Sequence, residues 1–406
     1  MRRTSATLPR PPRPDRDTIS LRLALINYEY PPLGGGAGNA TACIARALAR
    51  QDHDVTVLTS GFGALHGSET EGGLQTIRLR SRRKRIDRSN YGEMLSFVVS
   101  AGRALPRVAR TVRPDGAIVF FSLPCGPLGW LAKRASGVPY VISLRGGDVP
   151  GADENLHAMH RVLAPLRRAL LRDALSVVAN SKGLADLSQR ADRTPVEVIP
   201  NGVDADFFCP GASTSSSNGT VDCLYAGRLQ AAKNLFVLLE QFAKARERAS
   251  ATLTLTLIGD GPQAAALKRH ARTLGIEHRV RWTGWLDKEG TRNAYRDADI
   301  FINPSLGEGM PNAVLEAMAC GLPVIASRVV GNDEVVRHGE TGLLFALGDS
   351  DGLASAIGEL ADAPERRGAM ARQARRIASE YYSWDATAAQ YAALFSRRRD
   401  DARPSL

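Results

Sequence analysis

The sequence predicts an α/β protein of two doubly wound domains, each a mostly parallel sheet with helices on both faces. Three observations predict it. Short β-rich apolar runs alternate with longer helical windows along the whole chain, which is how buried parallel strands read. The alternation breaks once, in the Pro/Gly/Ser-rich stretch "PNGVDADFFCPGASTSSSNGT" (200–220), and then restarts. The length, 406 residues, exceeds what one ordinary core accommodates.

In order along the chain, residues 1–18 ("MRRTSATLPRPPRPDRDT") are rich in Arg and Pro. They lack the apolar core of a signal peptide and read as a disordered basic tail. The first domain is expected over 19–203. "LRLALIN" (21–27) gives a strand, a glycine-rich turn and then an Ala-rich helix over 38–50. "DVTVLTS", "AIVFFS", "PYVISL", "LSVVAN" and "VEVIP" supply further strands. The second domain is expected over 204–380, with strands "VDCLYAG", "TLTLTLIG", "VRWTG", "IFINPS", "LPVIAS" and "GLLF". Helical residues close the chain, the last segment being 381–406. Two such halves predict a cleft between them, lined by the carboxyl ends of their strands.

Composition excludes several classes. With 44% hydrophobic and 23% charged residues the chain is neither disordered nor fibrous, and no apolar run is long enough for a membrane-spanning helix. The five cysteines are scattered without zinc spacing, which suits reduced thiols and a cytoplasmic protein. The net charge of +11 is uneven: residues 1–200 hold 29 Lys+Arg against 17 Asp+Glu, the remainder 24 against 25. Much of the excess lies in the tail and in "RLRSRRKRIDR" (78–88). Sparse aromatics and the lack of a recognition motif there argue against nucleic acid. An anionic membrane surface, an acidic substrate or a merely solvated loop remain open.

Candidate chemistry clusters just beyond strands of the second half. "LYAGRLQAAKN" places Arg228, a rigid fork for phosphate oxygens, and Lys233, a mobile point charge, beyond a strand. "INPSLGEGMPNAVLEAMACG" puts Glu308 in a loop and Glu316 in the second turn of a helix starting near Pro311, whose free amides make an anion site. Basic groups and a helix start in one place imply a diphosphate-bearing ligand. Glu316 could accept from a ribose diol; a helix-dipole Glu and a surface Glu are the bland alternatives.

The motifs "GR-x4-KN", "IGDGP", "TGW", "ADIFINPS-x2-EG-x6-E", "AMACGLPVIAS" and "HGETGLLF" follow one another in this order. With "YPPLGGGAGNA", "LRGGDV", "ANSKGLADL" and "VIPNGVD" in the first half, they resemble the retaining glycosyltransferases of family 4, which include bacterial phosphatidylinositol mannosyltransferases and sucrose-type synthases. The resemblance implies the GT-B fold: two Rossmann-like domains facing a central cleft, an N-terminal acceptor domain, a C-terminal donor domain, and a last helix packing back on the first domain. It implies a nucleotide-diphosphate sugar donor, UDP- or GDP-linked, no further cofactor, and a saccharide or lipid-linked saccharide acceptor in cell-surface polysaccharide or glycolipid synthesis. Carried over, Arg228 and Lys233 neutralise the diphosphate, assisted by the amides of Asn312 and Ala313. Glu316 holds the ribose, while Glu308 with the amides of Gly309 and Met310 holds the sugar. Gly35 and Gly36 let the backbone approach the diphosphate. Many members carry a His where this chain has Arg145, and an Arg is no base at neutral pH, so Arg145 is expected to bind sugar, phosphate or acceptor. Asp148 would orient an acceptor hydroxyl or cap a turn.

Metal-independent transfer is expected. His157 and His160 have no third ligand nearby, and the Asp-x-Asp spacings at 52/54, 204/206 and 297/299 read as structural. The basic segment and its following helix, with apolar Met94, Leu95, Val98 and Val99, read either as a peripheral membrane face over 78–99 or as a helix packed on its own sheet. Competing readings are a nucleotide-sugar epimerase of the same fold, an NAD-dependent oxidoreductase and an inactive partner subunit.

Overall fold

A computed structural model describes residues 20–86, 89–152, 156–211, 219–349 and 351–401. The tail expected over 1–18, the Ser-rich part of the expected linker (212–218) and residues 87–88 of the basic segment lie outside the described residues. The chain forms two compact units, one running to Asn201 and resuming at Trp384, the other Gly202–Ser383. It passes between them at 201/202 and 383/384, against the expected 203/204 and 380/381.

The first unit is an eight-stranded sheet. Its strands are β1 (Arg22–Ile26), β2 (Asp54–Ser60), β3 (Gly67–Glu71), β4 (Leu74–Leu79), β5 (Gly116–Phe120), β6 (Tyr140–Leu144), β7 (Ser176–Ala179) and β8 (Glu197–Val198). They stand in the order β3-β4-β2-β1-β5-β6-β7-β8. All pairings are parallel except β3 with β4. That antiparallel hairpin was not expected from the sequence, because β3 ("GSETE") is exposed throughout and carries no apolar pattern. Helices α1 (Gly36–Arg50), α2 (Tyr91–Val112), α3 (Gly126–Ser136), α4 (His157–Asp173) and α5 (Lys182–Asp192) cover the sheet.

Strand β1 shows why both faces are covered. Leu21, Leu23 and Leu25 enter one apolar cluster, Ala24 and Ile26 the other, as the two-residue period of a strand requires. The first cluster is closed by the last helix of the chain, α13 in chain order (Trp384–Asp401), through Trp384, Ala388, Tyr391 and Phe395. Arg50 Nη2 meets Asp385 Oδ1 at 2.7 Å, and the Tyr391 hydroxyl lies 2.7 Å from Ser143 Oγ. Gly116 is glycine because a Cβ there would collide with the Phe395 ring.

The second unit is a six-stranded parallel sheet, ordered β11-β10-β9-β12-β13-β14. Its strands are β9 (Thr220–Ala226), β10 (Thr252–Ile258), β11 (Val280–Gly284), β12 (Ile300–Asn303), β13 (Val324–Ser327) and β14 (Gly342–Phe345). Helices α6 (Leu235–Arg248), α7 (Ala264–Thr273) and α11 (Gly352–Asp362) bury one face. Helices α8 (Lys288–Asp297), α9 (Asn312–Ala319), α10 (Asn332–Val335) and α12 (Pro364–Tyr381) bury the other. Both units are therefore doubly wound, as expected.

The Phe395–Gly116 contact makes a sharp stability test. Phe395→Ala should cost about 3–5 kcal/mol in urea unfolding and Gly116→Ala about 1–3 kcal/mol through overpacking. Because the new methyl fills the space the ring leaves, the double variant should be less destabilised than the sum of the two.

Candidate active site

Each sheet reverses its strand order once, and open α/β sheets bind ligands at that point, outside the carboxyl ends of the strands. In the second unit the reversal lies between the neighbours β9 and β12, and the candidate side chains stand on the loops that follow these two strands.

After β9 the chain turns at Gly227 (φ 154°), passes Arg228, makes one 3-10 turn at Ala231–Lys233, and enters α6 through Asn234 in the left-handed region (φ 56°). This loop is laced to the turn after β10. Gly227 N donates to Ile258 O (3.0 Å), Leu229 N to Asp260 O (3.0 Å) and Gln263 N to Leu229 O (3.0 Å). A Cβ on Gly259 would strike the Gly227 carbonyl, and one on Gly261 the Leu229 carbonyl, so the glycines of "IGDGP" permit a close backbone approach that fixes Arg228. Among the described residues the half-buried Arg228 guanidinium has no hydrogen-bond or ion-pair partner.

Lys233 does have one. Its Nζ lies 2.5 Å from Glu308 Oε1, with both side chains largely buried. The same Oε1 faces Ser305 Oγ at 2.6 Å and Asn303 Nδ2 at 3.4 Å, while Oε2 has no protein donor among the described residues. Behind this carboxylate stands a second layer that the sequence reading missed. Asn303 Nδ2 donates to Asn332 Oδ1 (3.0 Å), Asn332 Nδ2 to Ser327 O (3.0 Å), and Ser327 Oγ to Ser305 O (2.5 Å). Gly331 (φ 87°) packs beneath the loop, where a Cβ would come 2.7 Å from Gly309 O. Nothing in the local sequence marks these four polar residues as a set. Their one shared feature is position, at the ends of β12 and β13 and the start of α10.

Helix α9 begins at Asn312 with Pro311 as its N-cap, one position later than first-turn placement of the proline. Val314 N donates to Pro311 O at 3.0 Å. The amides of Gly309, Met310 and Ala313 donate to no protein acceptor among the described residues, and Asn312 stands between the last two. One turn on, Glu316 Oε2 accepts from the fully buried Tyr295 hydroxyl at 3.2 Å. Burial of its carboxyl raises the pKa to about 7, against the opposing pull of that hydrogen bond and of Lys288.

In the first unit the reversal lies between β1 and β5. The glycine run after β1 leads into α1. Gly34 (φ 91°) lies against the side chain of Glu29, whose Oε2 accepts from Gly35 N at 3.4 Å. Gly38 is close-packed on Leu33 O, but a Cβ on Gly35 would meet nothing within 4 Å. The protein's own packing therefore does not require glycine at 35. Gly36 is the exposed first residue of α1.

Asp148 and Arg145, expected as reacting or acceptor-binding groups, have structural work. Asp148 is 5% exposed; Oδ1 accepts from Arg145 N (2.9 Å) and Gly146 N (3.2 Å), and Oδ2 from Ser122 N (2.6 Å). Its carboxylate builds the turn after β6, the alternative the sequence left open. Arg145 Nη1 donates to Asn201 Oδ1 (2.7 Å) and Nη2 reaches the Tyr391 hydroxyl (3.4 Å), with the guanidinium 4.8 Å from the Phe120 ring centroid. Part of the basic segment is likewise committed. Arg78 Nη2 donates to Pro31 O (2.6 Å), and buried Arg83 donates to the carbonyls of Tyr28, Arg85 and Ile86. His160 is buried against Arg167, and no His/Cys/Asp/Glu group fit for a metal occurs among the described residues.

Two family models match the chain, "Glycosyltransferase Family 4" over residues 34–207 and "Glycosyl transferases group 1" over 220–363. A D-inositol 3-phosphate glycosyltransferase of Catenulispora acidiphila is 33% identical over 306 residues, covering 68% of this chain and 70% of that protein. A GDP-mannose-dependent alpha-(1-6)-phosphatidylinositol monomannoside mannosyltransferase of Mycolicibacterium smegmatis is 27% identical, covering 93% and 99%. Among solved structures, sucrose-phosphate synthase of Thermosynechococcus elongatus superposes with a TM-score of 0.79 at 23% identity, covering 94% and 99%. HepE of Anabaena, in complex with UDP and glucose, gives 0.73 at 20% identity, covering 93% and 99%. With its two doubly wound units and these ordered motifs, the chain belongs to glycosyltransferase family 4 and is a glycosyltransferase of the GT-B fold.

Proposed function

We propose that the protein moves a hexosyl group, with retention, from a nucleotide-diphosphate sugar held by the second unit to a hydroxyl of a saccharide or lipid-linked saccharide. The observation that carries this reading is the Lys233–Glu308 pair beside unpartnered Arg228, because one place then offers cations to a diphosphate and a free carboxylate oxygen to a sugar. Lys233 has three donors, so it can keep Glu308 and still take a phosphate oxygen. Arg228 and Lys233 stabilise the charge that grows on the departing diphosphate, with the amides of Asn312 and Ala313 assisting. Glu308 Oε2 and the amides of Gly309 and Met310 hold the sugar. Glu316 accepts from the ribose diol. Gly35 and Gly36 leave their backbone open to the diphosphate. The acceptor proton goes to the departing phosphate oxygen, so neither Asp148 nor Arg145 is given a step. Relatives and structural neighbours are named with GDP-mannose and UDP, which supports a UDP- or GDP-sugar.

For the acceptor side, α2 supplies the support. Met94 and Val98 pack inward with Phe97, Ala101 and Leu105, as in any sheet-covering helix. On its outer face Tyr91, Leu95 (63% exposed) and Val99 form an apolar stripe one turn apart, continued by Ile86. Arg82, Lys84 and Arg85 are exposed next to this stripe in sequence, an apolar and cationic combination suited to an anionic membrane surface. No described helix is long and apolar enough to cross a membrane, so this docking would be peripheral.

Three outcomes test the reading. Arg228→Ala should lower kcat about 10²- to 10³-fold with an unchanged melting temperature, and a chelator should leave wild-type turnover unaltered. Ionised, the Glu316 carboxyl offers both oxygens to a diol, whereas its protonated form keeps one as a hydroxyl donor. Nucleoside diphosphate affinity, measured calorimetrically, should therefore rise about tenfold from pH 6 to pH 8, an effect absent in Glu316→Gln. The same raised pKa favours the protonated folded form, so Glu316 lowers fold stability progressively as pH climbs from about 4.5 through about 7. Finally, Leu95→Ser/Val99→Ser should lose sedimentation with phosphatidylglycerol vesicles while keeping kcat on a water-soluble acceptor.

A further inference from the structure

Helices α4 and α5 are linked by the buried Arg167–Asp192 ion pair and both run from the carboxyl ends of the strands back to their amino ends, since α4 joins β6 to β7 and α5 joins β7 to β8. Their last turns therefore lie at the end of the sheet opposite the loops that carry Asp148 and the glycine run. There the two helices border an open hollow of about 410 Å³ lined by the exposed Arg168, Arg172, Arg190 and Arg193 together with Asp192 and Ala191.

The charge balance of this hollow is lopsided. Its one acid, Asp192, is 2% exposed and already doubly held: Arg167 Nε and Nη2 meet its two oxygens at 3.0 and 2.8 Å from behind, and Arg168 Nε lies 3.4 Å away. Arg168 Nη2 is fixed further by Ala191 O at 2.9 Å. Arg172, Arg190 and Arg193 have no hydrogen-bond or ion-pair partner among the described residues. Helix dipoles account for a basic residue in the last turn of each helix. They do not account for four guanidiniums around one hollow, where mutual repulsion opposes the arrangement. Guanidiniums in a fixed fork match the tetrahedral oxygens of a phosphoryl group.

We propose that this hollow is a second anion site, distinct from the donor site, which binds a phosphoryl or pyrophosphoryl group through Arg168, Arg172, Arg190 and Arg193. Exposed Val162 and Leu166 on α4 lie one turn apart, about a third of a turn around the helix from Arg161, Arg168 and Arg172. A phosphoryl group borne by a lipid headgroup would therefore find apolar surface next to its site, whereas a free phosphate would use the arginines alone. The inference stands whether or not the donor assignment holds.

Inorganic pyrophosphate is the probe, titrated calorimetrically into full-length Arg228→Ala so that the proposed donor diphosphate contact is weakened. Adding Arg172→Ala/Arg190→Ala/Arg193→Ala should weaken binding at least ~10-fold. The charge-matched set Arg103→Ala/Arg107→Ala/Arg110→Ala, also exposed, should leave it unchanged. Pyrophosphate affinity unaltered by the first set, or lowered equally by the second, overturns the proposal. Phosphatidylglycerol vesicles then identify the source. If they compete with pyrophosphate for Arg228→Ala and the first set removes that competition, the phosphoryl group comes from a lipid; if pyrophosphate binds equally well in their presence, it comes from a soluble phosphate.

Discussion

The ion pair between Lys233 and Glu308 joins the loops after two neighbouring strands, and the rest of the candidate site is arranged around keeping it. A largely buried pair repays its desolvation only when further hydrogen bonds satisfy the charges. Ser305 and Asn303 supply them to a single carboxylate oxygen, and Asn332 and Ser327 hold those two in turn. A backbone bond from Leu306 N to Ala232 O (2.9 Å) ties the same two loops a second time. The result is a carboxylate with one oxygen saturated and the other without a protein donor among the described residues. Its orientation is set before any ligand arrives, so little reorganisation opposes binding.

Arg228 is positioned by a different device, backbone against backbone. The turn after β10 presses on the loop after β9 so closely that Gly259 and Gly261 cannot carry a side chain. Such contacts leave the arginine's backbone few alternatives while its guanidinium stays unpaired. The two cations of the site thus differ: Lys233 is held through its charge, Arg228 through its main chain. For the proposed diphosphate, Lys233 would add a phosphate oxygen to the contact it keeps with Glu308, whereas Arg228 would bring a guanidinium with no partner among the described residues.

Most of the strands were legible because buried parallel strands produce short β-branched and leucine-rich runs, whereas their order in each sheet was not. The candidate residues on the β9 and β12 loops were legible because each motif is local: Arg228 and Lys233 lie five residues apart, Glu308 and Glu316 eight. Partners distant in sequence were not legible. Asn303 and Asn332 are 29 residues apart, Arg83 and Tyr28 fifty-five, and nothing along the chain announces either contact. For the same reason the arginines of 78–88 read alike, although Arg78 and Arg83 are buried braces for the loop after β1 and Arg82, Lys84 and Arg85 are exposed. Glu29 escaped notice because a lone acid before a Pro-Pro pair has no pattern; only its place against Gly34 and Gly35 gives it meaning.

Arg145 shows how a motif position can be filled without the expected chemistry. Burial disfavours its charge, and no carboxylate among the described residues bonds to its guanidinium; Asp148 is turned to backbone amides instead. The charge is met by the Asn201 carbonyl oxygen, the Tyr391 hydroxyl and the face of Phe120. Asn201 is the last residue before the chain leaves the first unit, and Tyr391 belongs to the helix on which it returns. One guanidinium therefore fastens both passages to the end of β6. A histidine here would alternate between protonation states near neutral pH, whereas an arginine stays a permanent donor, so the substitution exchanges a titratable group for a fixed brace. The reaction class is not altered by this exchange, because the cations and carboxylates proposed to handle the donor all lie in the second unit.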